Sequence, residues 1–368
     1  MEFTIIHKLF DAGIEVLLWV FLWYVAIWNW MDQTQANLGL CGDEPYKNDM
    51  IQAYLFVVIV QLIESFLNLP FTIYSHFVIE EKYGFNKMTP ATFVADEIKK
   101  FVIALVLMAV IIPLLLWIIH VSGPTLILNL AIVSVGIVLI VSLLIPTVIV
   151  PLFFTMDNLE EGELSTAIYA EAAKAEVSVA EVKVIDGSKR SSHSNAFVSG
   201  FWNFRKVVLF DTLIAQHPIP EVCAVISHEL GHVHHQHILQ QVALTSVSLI
   251  IMFTCFSFVL ANKGVIESFG FENNSNFLYL FLFTKLYMPI SFVLQFASQY
   301  LIRRAEYQAD AFATKHNHGK NLKSALINLF KRNKSPLVAD PVYSALNHSH
   351  PTLVERLHAI DECMKNSQ

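Results

Sequence analysis

V-I-S-H-E-L-G-H-V-H-H-Q-H-I-L-Q-Q-V-A-L-T-S-V-S-L-I-I-M-F-T-C-F-S-F-V-L, residues 225–260, joins a histidine-rich stretch directly to a long apolar one. From Leu239 to Leu260 no residue is charged, and a run of that length crosses ~30 Å of hydrocarbon at 1.5 Å per residue. The leading half contains H-E-x-x-H at 228–232. On a helix, positions i and i+4 stand one above the other. His228 and His232 can then offer two imidazoles to one tetrahedral Zn²⁺, with Glu229 beside the open position as general base. With 15 His in 368 residues, this pattern arises by chance roughly 0.03 times per chain. The same stretch therefore predicts a membrane helix and a metallopeptidase-type centre at its end.

Working outward, five more apolar runs occur, at Ile14–Met31, Ala53–Tyr74, Phe101–Val121, Leu126–Phe154 and Phe277–Leu301. The chain is 55% hydrophobic and 15% charged, against about 25% charged in soluble proteins. We read six transmembrane helices. The first run is expected to stay in the mature protein: its core is too long for a signal peptide, Asp11 and Glu15 flank it, and no A-x-A-like site follows. Of the 24 Lys and Arg, only Lys47 and Lys263 fall on the loops near 32–52, 122–125 and 261–276. The positive-inside rule places both termini and the large middle segment in the cytosol. A net charge of −7 with no basic stripe excludes a nucleic-acid surface.

The organisation read from this pattern is 1–154, transmembrane helices 1–4; 155–238, a cytosolic segment with an edge strand and the H-E-x-x-H helix; 239–301, transmembrane helices 5–6; and 302–368, a helical C-terminal segment. Within it, Glu163–Glu176 reads as an amphipathic helix, and Glu181–Ile185 and Lys206–Phe210 as strands. Ser194–Val198 reads as an extended edge, and a helix runs from Pro220 through His237 into the fifth span. Two more helices are expected at Asn321–Lys331 and after Pro351. The four cysteines, Cys41, Cys223, Cys255 and Cys363, are too scattered for a disulfide framework or C-x-x-C site and read as free structural thiols.

Two histidines leave a catalytic zinc site one protein ligand short. Glu306, in R-R-A-E-Y-Q-A-D about a turn and a half beyond the sixth run, is the best third candidate. Asp310 lies on the same helical face, placed to orient a ligand imidazole. Alone, that pair beside Arg303 and Arg304 would read as a solvated helix face; combined with H-E-x-x-H, the metal reading prevails. His234, His235 and His237 are read as solvated or membrane-proximal polar residues rather than ligands. His232 precedes its apolar run by ~10 Å of helix and Glu306 follows its own by ~8 Å. The site should therefore lie within a turn or two of hydrocarbon, suited to substrates held at the membrane.

The chain resembles the eukaryotic zinc-dependent CAAX prenyl endopeptidases, integral membrane enzymes of the gluzincin type, over about residues 70–362. The motifs that carry this are F-V-I-E-E-K-Y-G-F-N (77–86), I-K-K-F-V (98–102), G-S-K-R-S-S-H-S-N-A-F (187–197), V-V-L-F-D-T-L (207–213), S-H-E-L-G-H (227–232), E-Y-Q-A-D-A-F-A (306–313) and S-H-P-T-L-V-E-R-L (349–357). The resemblance implies a mainly α polytopic membrane protein whose helices surround an internal chamber, with a small β-ribbon in its cytosolic peptidase portion. It implies one Zn²⁺ on His228, His232 and Glu306, Glu229 as base, and Asp310 behind the ligands. Asn195 would hold the substrate backbone at an edge strand; His350 would bind substrate and the developing oxyanion, and Arg356 of the same motif would belong to the substrate-binding side. The implied reaction removes the last three residues of prenylated CAAX proteins in the endoplasmic reticulum membrane or nuclear envelope, with prenylated protein and membrane lipid as partners. The sequence departs from the family in its shorter N-terminus, with six apolar runs where seven spans are usual. It also has A-F-V-S-G-F after Asn195, and only some 14 residues between Thr212 and the catalytic helix.

Two other readings were weighed. A general quality-control membrane zinc protease is disfavoured by E-E-K-Y-G-F-N, R-S-S-H-S-N and the six spans. A zinc transporter would need ligands inside the spans, whereas both halves of this site fall just outside them. Glu64, His120 and Lys285 lie in or at the ends of apolar runs, where ionisable side chains face a bundle interior or cavity. Asn273-Asn274-Ser275 is a glycosylation sequon on a short, membrane-proximal loop.

Overall fold

The computed structural model describes residues 2–39, 44–200, 204–262, 264–272, 275–335, 337 and 339–366. Its first helices are α1 (Glu2–Val20), α2 (Trp23–Asn37), α3 (Pro45–Tyr74), α4 (Pro90–Val121), α5 (Leu126–Leu144) and α6 (Val150–Phe153). A mixed α and β stretch follows: β1 (Met156–Asn158), α7 (Glu163–Lys174), β2 (Glu181–Ile185), β3 (Ala196–Ser199), β4 (Lys206–Phe210), α8 (Asp211–Gln216) and α9 (Ile219–His234). The chain then continues as α10 (His237–Leu260), α11 (Gly264–Ser268), α12 (Asn276–Leu286), α13 (Met288–Ala313), α14 (Gly319–Arg332), α15 (Pro341–Asn347) and α16 (Leu353–Asn366). These elements form two compact units, residues 1–82, 90–134 and 249–289 in one, and 83–89, 135–248 and 290–368 in the other.

The first unit is helical. Its opening apolar run is not one rod: Leu22 takes the left-handed conformation (φ 52°), and α1 and α2 meet at a 60° bend. Helix α12 ends at Leu286 and a new helix begins at Met288, with Pro289 in its first turn, where the missing N–H costs no helical hydrogen bond. Among the described residues, four helical stretches are long and apolar enough to cross a membrane, or up to six if each bent pair is one span, which agrees with about six expected spans. Trp28, Tyr24 and Phe56 are fully enclosed, with Trp28 stacked on Phe277. Among the ionisable residues in the runs, Lys285 Nζ pairs with Glu15 at 2.6 Å. The same Glu15 accepts hydrogen bonds from Trp19 and Tyr24. Glu64 lines a small cavity with Asp11, Glu15 and Asn68 and the apolar side chains of Phe10, Ile14, Leu18 and Leu67, and His120 stacks on Tyr46. Cys41 and Asn273 lie outside the described residues.

The second unit holds a four-stranded sheet in the order β1-β2-β4-β3. The unbroken apolar run K-V-V-L-F becomes β4, paired parallel to β2 on one side and antiparallel to β3 on the other. Such continuous runs mark strands covered on both faces, and Val207 and Leu209 are fully buried. The expected edge strand is present as β3, starting two residues later and ending one residue later than read from the sequence. The short β1, Met156–Asn158, was not anticipated. Against the sheet pack α7, α8, α9 and α14 through Ile168, Leu213, Ile226, Leu230 and Ala325. Leu322, Leu326, Leu353 and Ile360 join α14 to α16 in a second apolar cluster.

One expectation is corrected here. The helix from Pro220 does not run on through His237 into the membrane span. His235 donates its backbone N–H to the Gly231 carbonyl, closing α9, Gln236 takes φ 55°, and α10 restarts at His237.

Candidate active site

The residues expected to form the site lie in the second unit. Helix α9 presents His228, Glu229 and His232; α13 presents Glu306 and, one turn on, Asp310. Glycine makes this pairing possible. A Cβ at Gly231 would stand 3.0 Å from both the Ala309 Cα and the Phe312 Cβ, so a larger residue would push α9 and α13 apart at the level of the site.

The ligand-type atoms of His228, His232 and Glu306 all fall within 4.8 Å of one another. His232 Nε2 is 3.2 Å from His228 Nε2 and 3.3 Å from Glu306 Oε1, and His228 Nε2 is 3.6 Å from Glu306 Oε2. Behind His228, Nδ1 donates to Asp310 Oδ1 at 2.9 Å. That leaves a lone pair on His228 Nε2, aimed at another imidazole nitrogen and a carboxylate. Converging acceptors of this kind repel unless a cation sits among them. The charge agrees: Glu306 and Asp310, both held ionised, face the guanidinium of Arg356, with Glu229 a third carboxyl beside them. A divalent cation fits this donor set, and two imidazoles with one carboxylate suit zinc.

Arg356, from α16, is buried to 6% exposure. Its Nε and NH2 donate to Asp310 Oδ2 at 2.9 Å and Oδ1 at 2.6 Å, and NH1 lies 3.6 Å from Glu306 Oε2. Arg356 also lines a cavity with Asn195 and His350, the other two residues expected on the substrate side. Despite the cost of burial, the Arg356 charge and the hydrogen bonds from His228 and Arg356 hold Asp310 below the usual carboxylate range. Glu306 is held well below it, again against burial, with the charge of Arg356 among the causes. Glu229 moves the other way. Burial pushes its carboxyl up and the Glu306 charge adds to this, with the neighbouring imidazoles opposing.

His350 precedes α16 and is largely exposed, with its Nδ1 2.8 Å from Glu306 Oε2. Asn195 comes just before β3; its backbone carbonyl accepts from Phe210 N at 3.1 Å and its Oδ1 accepts from Ala196 N at 2.9 Å. Glu229, His232, Glu306, Asn195 and His350 all line one cavity of about 500 Å³, whose apolar wall includes Leu244, Leu301 and Ile302. A second cavity, about 440 Å³, also touches Asn195 and His350.

Two further contacts were missed in the sequence. Arg303, given no role in the sequence reading, reaches Ser344 at 2.9 Å and both oxygens of Glu355, which fastens the His350 segment to α13. Its place one turn before Glu306 was the available signal. His237, read as a solvated or membrane-proximal polar residue, is 8% exposed and bonded to His232. Five residues apart, the two would point in different directions on a straight helix.

A family model described as peptidase family M48 matches residues 158–364. The chain belongs to that family. A second model, described as the CAAX prenyl protease N-terminal region with five membrane helices, matches residues 1–155, where α1 to α5 lie. This M48 metallopeptidase is similar to a protein named CAAX prenyl protease 1 homolog from Oryza sativa subsp. japonica, 33% identical over 98% of this chain and 84% of the relative. It is 35% identical to a probable CAAX prenyl protease 1 of Schizosaccharomyces pombe, over 98% of this chain and 76% of that one. The crystal structure of S. mikatae Ste24p superposes with a TM-score of 0.89 at 31% identity, over 98% of this chain and 85% of that one. These matches place it among the CAAX prenyl protease 1 relatives, as a multi-pass membrane metallopeptidase.

Proposed function

We propose that this M48 chain removes the C-terminal three residues of prenylated CAAX proteins, with one Zn²⁺ held by His228, His232 and Glu306. The observation that carries the reading is the convergence of those three groups beside Glu229 in a cavity walled by Leu244, Leu301 and Ile302. Apolar side chains next to the reacting centre suit a lipid-modified peptide end, and the relatives' names refer to CAAX prenyl substrates. Zinc bound there supplies Lewis acidity, lowering the pKa of water and polarising the scissile carbonyl. Glu229 takes the proton from water and returns it to the leaving amine. Its raised pKa fits a group that must both accept and donate. The free edge of β3 beside Asn195 offers main-chain hydrogen bonds to an extended peptide. His350, on the rim of the same cavity, stabilises charge developing on the carbonyl oxygen. Arg356 acts through Asp310, keeping it ionised so that His228 presents its lone pair to the metal. The charge bias of the loops puts this site and both termini on the cytosolic face, with the endoplasmic reticulum membrane or the continuous nuclear envelope as the compartment.

The test compares farnesylated and unfarnesylated C-terminal peptides with the wild-type chain and Glu229→Gln. The variant should retain zinc and lose about 10²–10⁴-fold in kcat/KM, and only the farnesylated peptide should be cut efficiently. Full activity of Glu229→Gln would overturn the mechanism. Equal cleavage of both peptides would overturn the substrate class and favour a general membrane protease.

A further inference from the structure

Behind His232 stands a pair that the catalytic reading leaves unused. His237 Nδ1 lies 2.9 Å from His232 Nδ1, and His237 Nε2 lies 3.0 Å from Gln308 Oε1. The two rings meet edge to face at 72°. This contact exists because α9 stops: with Gln236 in the left-handed region, the first residue of α10 folds back onto the last histidine of H-E-x-x-H. Gln308 comes from the other half of the site, two residues after Glu306 on α13.

The chemistry allows two polarities. Two imidazole nitrogens 2.9 Å apart share one proton. If Gln308 accepts through Oε1, His237 carries its proton on Nε2 and offers a lone pair from Nδ1. His232 must then carry its proton on Nδ1, which leaves Nε2 free to bind a metal. If the amide is turned and donates through its NH₂, every proton in the chain moves one place on. His232 then holds a proton on Nε2 and cannot be a ligand. The observed Gln308 Oε1 orientation is the one compatible with a metal. His228 differs: its Nδ1 faces the carboxylate of Asp310, an acceptor in any orientation.

From this we infer that His237 and Gln308 form a neutral relay that sets the tautomer and ring orientation of His232. They are positioning residues for the metal, and the inference rests on His232 being a ligand as proposed above. Because a glutamine accepts either polarity, this arm of the site is the reversible one, and metal binding selects its working state.

The experiment measures zinc affinity of the purified full-length chain in detergent by chelator competition, alongside the zinc-dependent rise in melting temperature. His237→Phe keeps an aromatic ring but removes the acceptor, and zinc affinity is expected to fall about 10–100-fold. His237→Asn places a carbonyl oxygen near the lost Nδ1 and should recover most of that loss, which a purely structural role would not produce. Gln308→Glu fixes the acceptor polarity and should bind zinc as tightly as wild type or tighter, whereas Gln308→Leu should bind it more weakly. The glutamine pair carries the test if His237→Phe does not fold. Wild-type affinity in His237→Phe, or equal affinity in the two Gln308 variants, overturns the inference. His232→Ala is the control. If it keeps wild-type affinity, the ligand assignment fails; if it loses zinc while the His237 and Gln308 variants do not, only the relay fails.

Discussion

Arg356→Met removes the guanidinium that sits behind the metal site and leaves a side chain of similar length. In the intact chain Arg356 makes two hydrogen bonds, of 2.9 and 2.6 Å, to the two oxygens of Asp310, a residue only 1% exposed. Without it, Asp310 is a buried carboxylate whose one remaining partner is His228 Nδ1. Breaking one side of a buried pair of this kind costs about 3–5 kcal/mol. For a unit of this size each kcal/mol is worth roughly 2–4 °C, so the melting temperature should fall by about 6–20 °C. The Arg356 charge is the chief force holding Asp310 below the usual carboxylate range. Its loss raises that pKa, and a protonated Asp310 no longer accepts cleanly from His228, so zinc affinity should drop as well. The double variant Asp310→Asn, Arg356→Met removes both charges together. It should regain most of the melting temperature, as paired buried charges replaced together are often neutral, but not the zinc affinity. The assay is thermal unfolding in detergent with and without zinc, beside chelator competition. The argument fails if Arg356→Met melts within about 2 °C of wild type, or if the double variant is no more stable than the single one.

Gly231→Ala gains helix propensity worth about 1 kcal/mol but sets a methyl 3.0 Å from the α13 backbone, an overpacking cost of about 1–3 kcal/mol. Net stability should change little, while zinc affinity and turnover fall because the ligands sit on both helices; unchanged zinc affinity in chelator competition would refute the close approach. Acid should loosen the second unit through Glu221. Against the cost of burial, hydrogen bonds from Ser324, His217 and Asn328 hold its carboxyl below the ordinary 4.5. Its folded pKa is depressed, so its contribution is complete above pH 4.5 and is lost as pH falls through the lower folded value. Glu221→Leu should flatten part of the decline in melting temperature below pH 4.5, and an unchanged slope would refute this.

What the sequence made legible, and what it hid, follows from the range of the forces involved. Hydrophobic runs are local and cumulative, so the six spans and the buried strand K-V-V-L-F could be read without a partner. The i,i+4 spacing of His228 and His232 is likewise built into one helix. Breaks made by a single residue leave no such trace. Leu22 and Gln236 take positive φ without being glycine, and nothing in their composition marks a bend or the end of a helix. Strand β1 has three residues and exists through its pairing with β2. Arg356 and Arg303 have the side chains of a solvated helix face, and only tertiary packing turns them inward.

The charge pattern explains why distant segments must meet at this point. Glu229 and Glu306 face the cavity, and Asp310 stands behind His228; one arginine cannot balance three carboxylates. A divalent cation suits that excess, and each ligand histidine is steadied from behind by a different means. His228 is fixed by a carboxylate–guanidinium pair drawn from α13 and α16, which is strong and costly to break. His232 is fixed by neutral groups at the start of α10 and on α13, which can reverse their hydrogen-bond direction at small cost. Perturbing the first arm should therefore appear as lost folding stability together with lost metal. Perturbing the second should appear as lost metal alone, and comparing apo melting temperatures of Arg356→Met and His237→Asn separates the two.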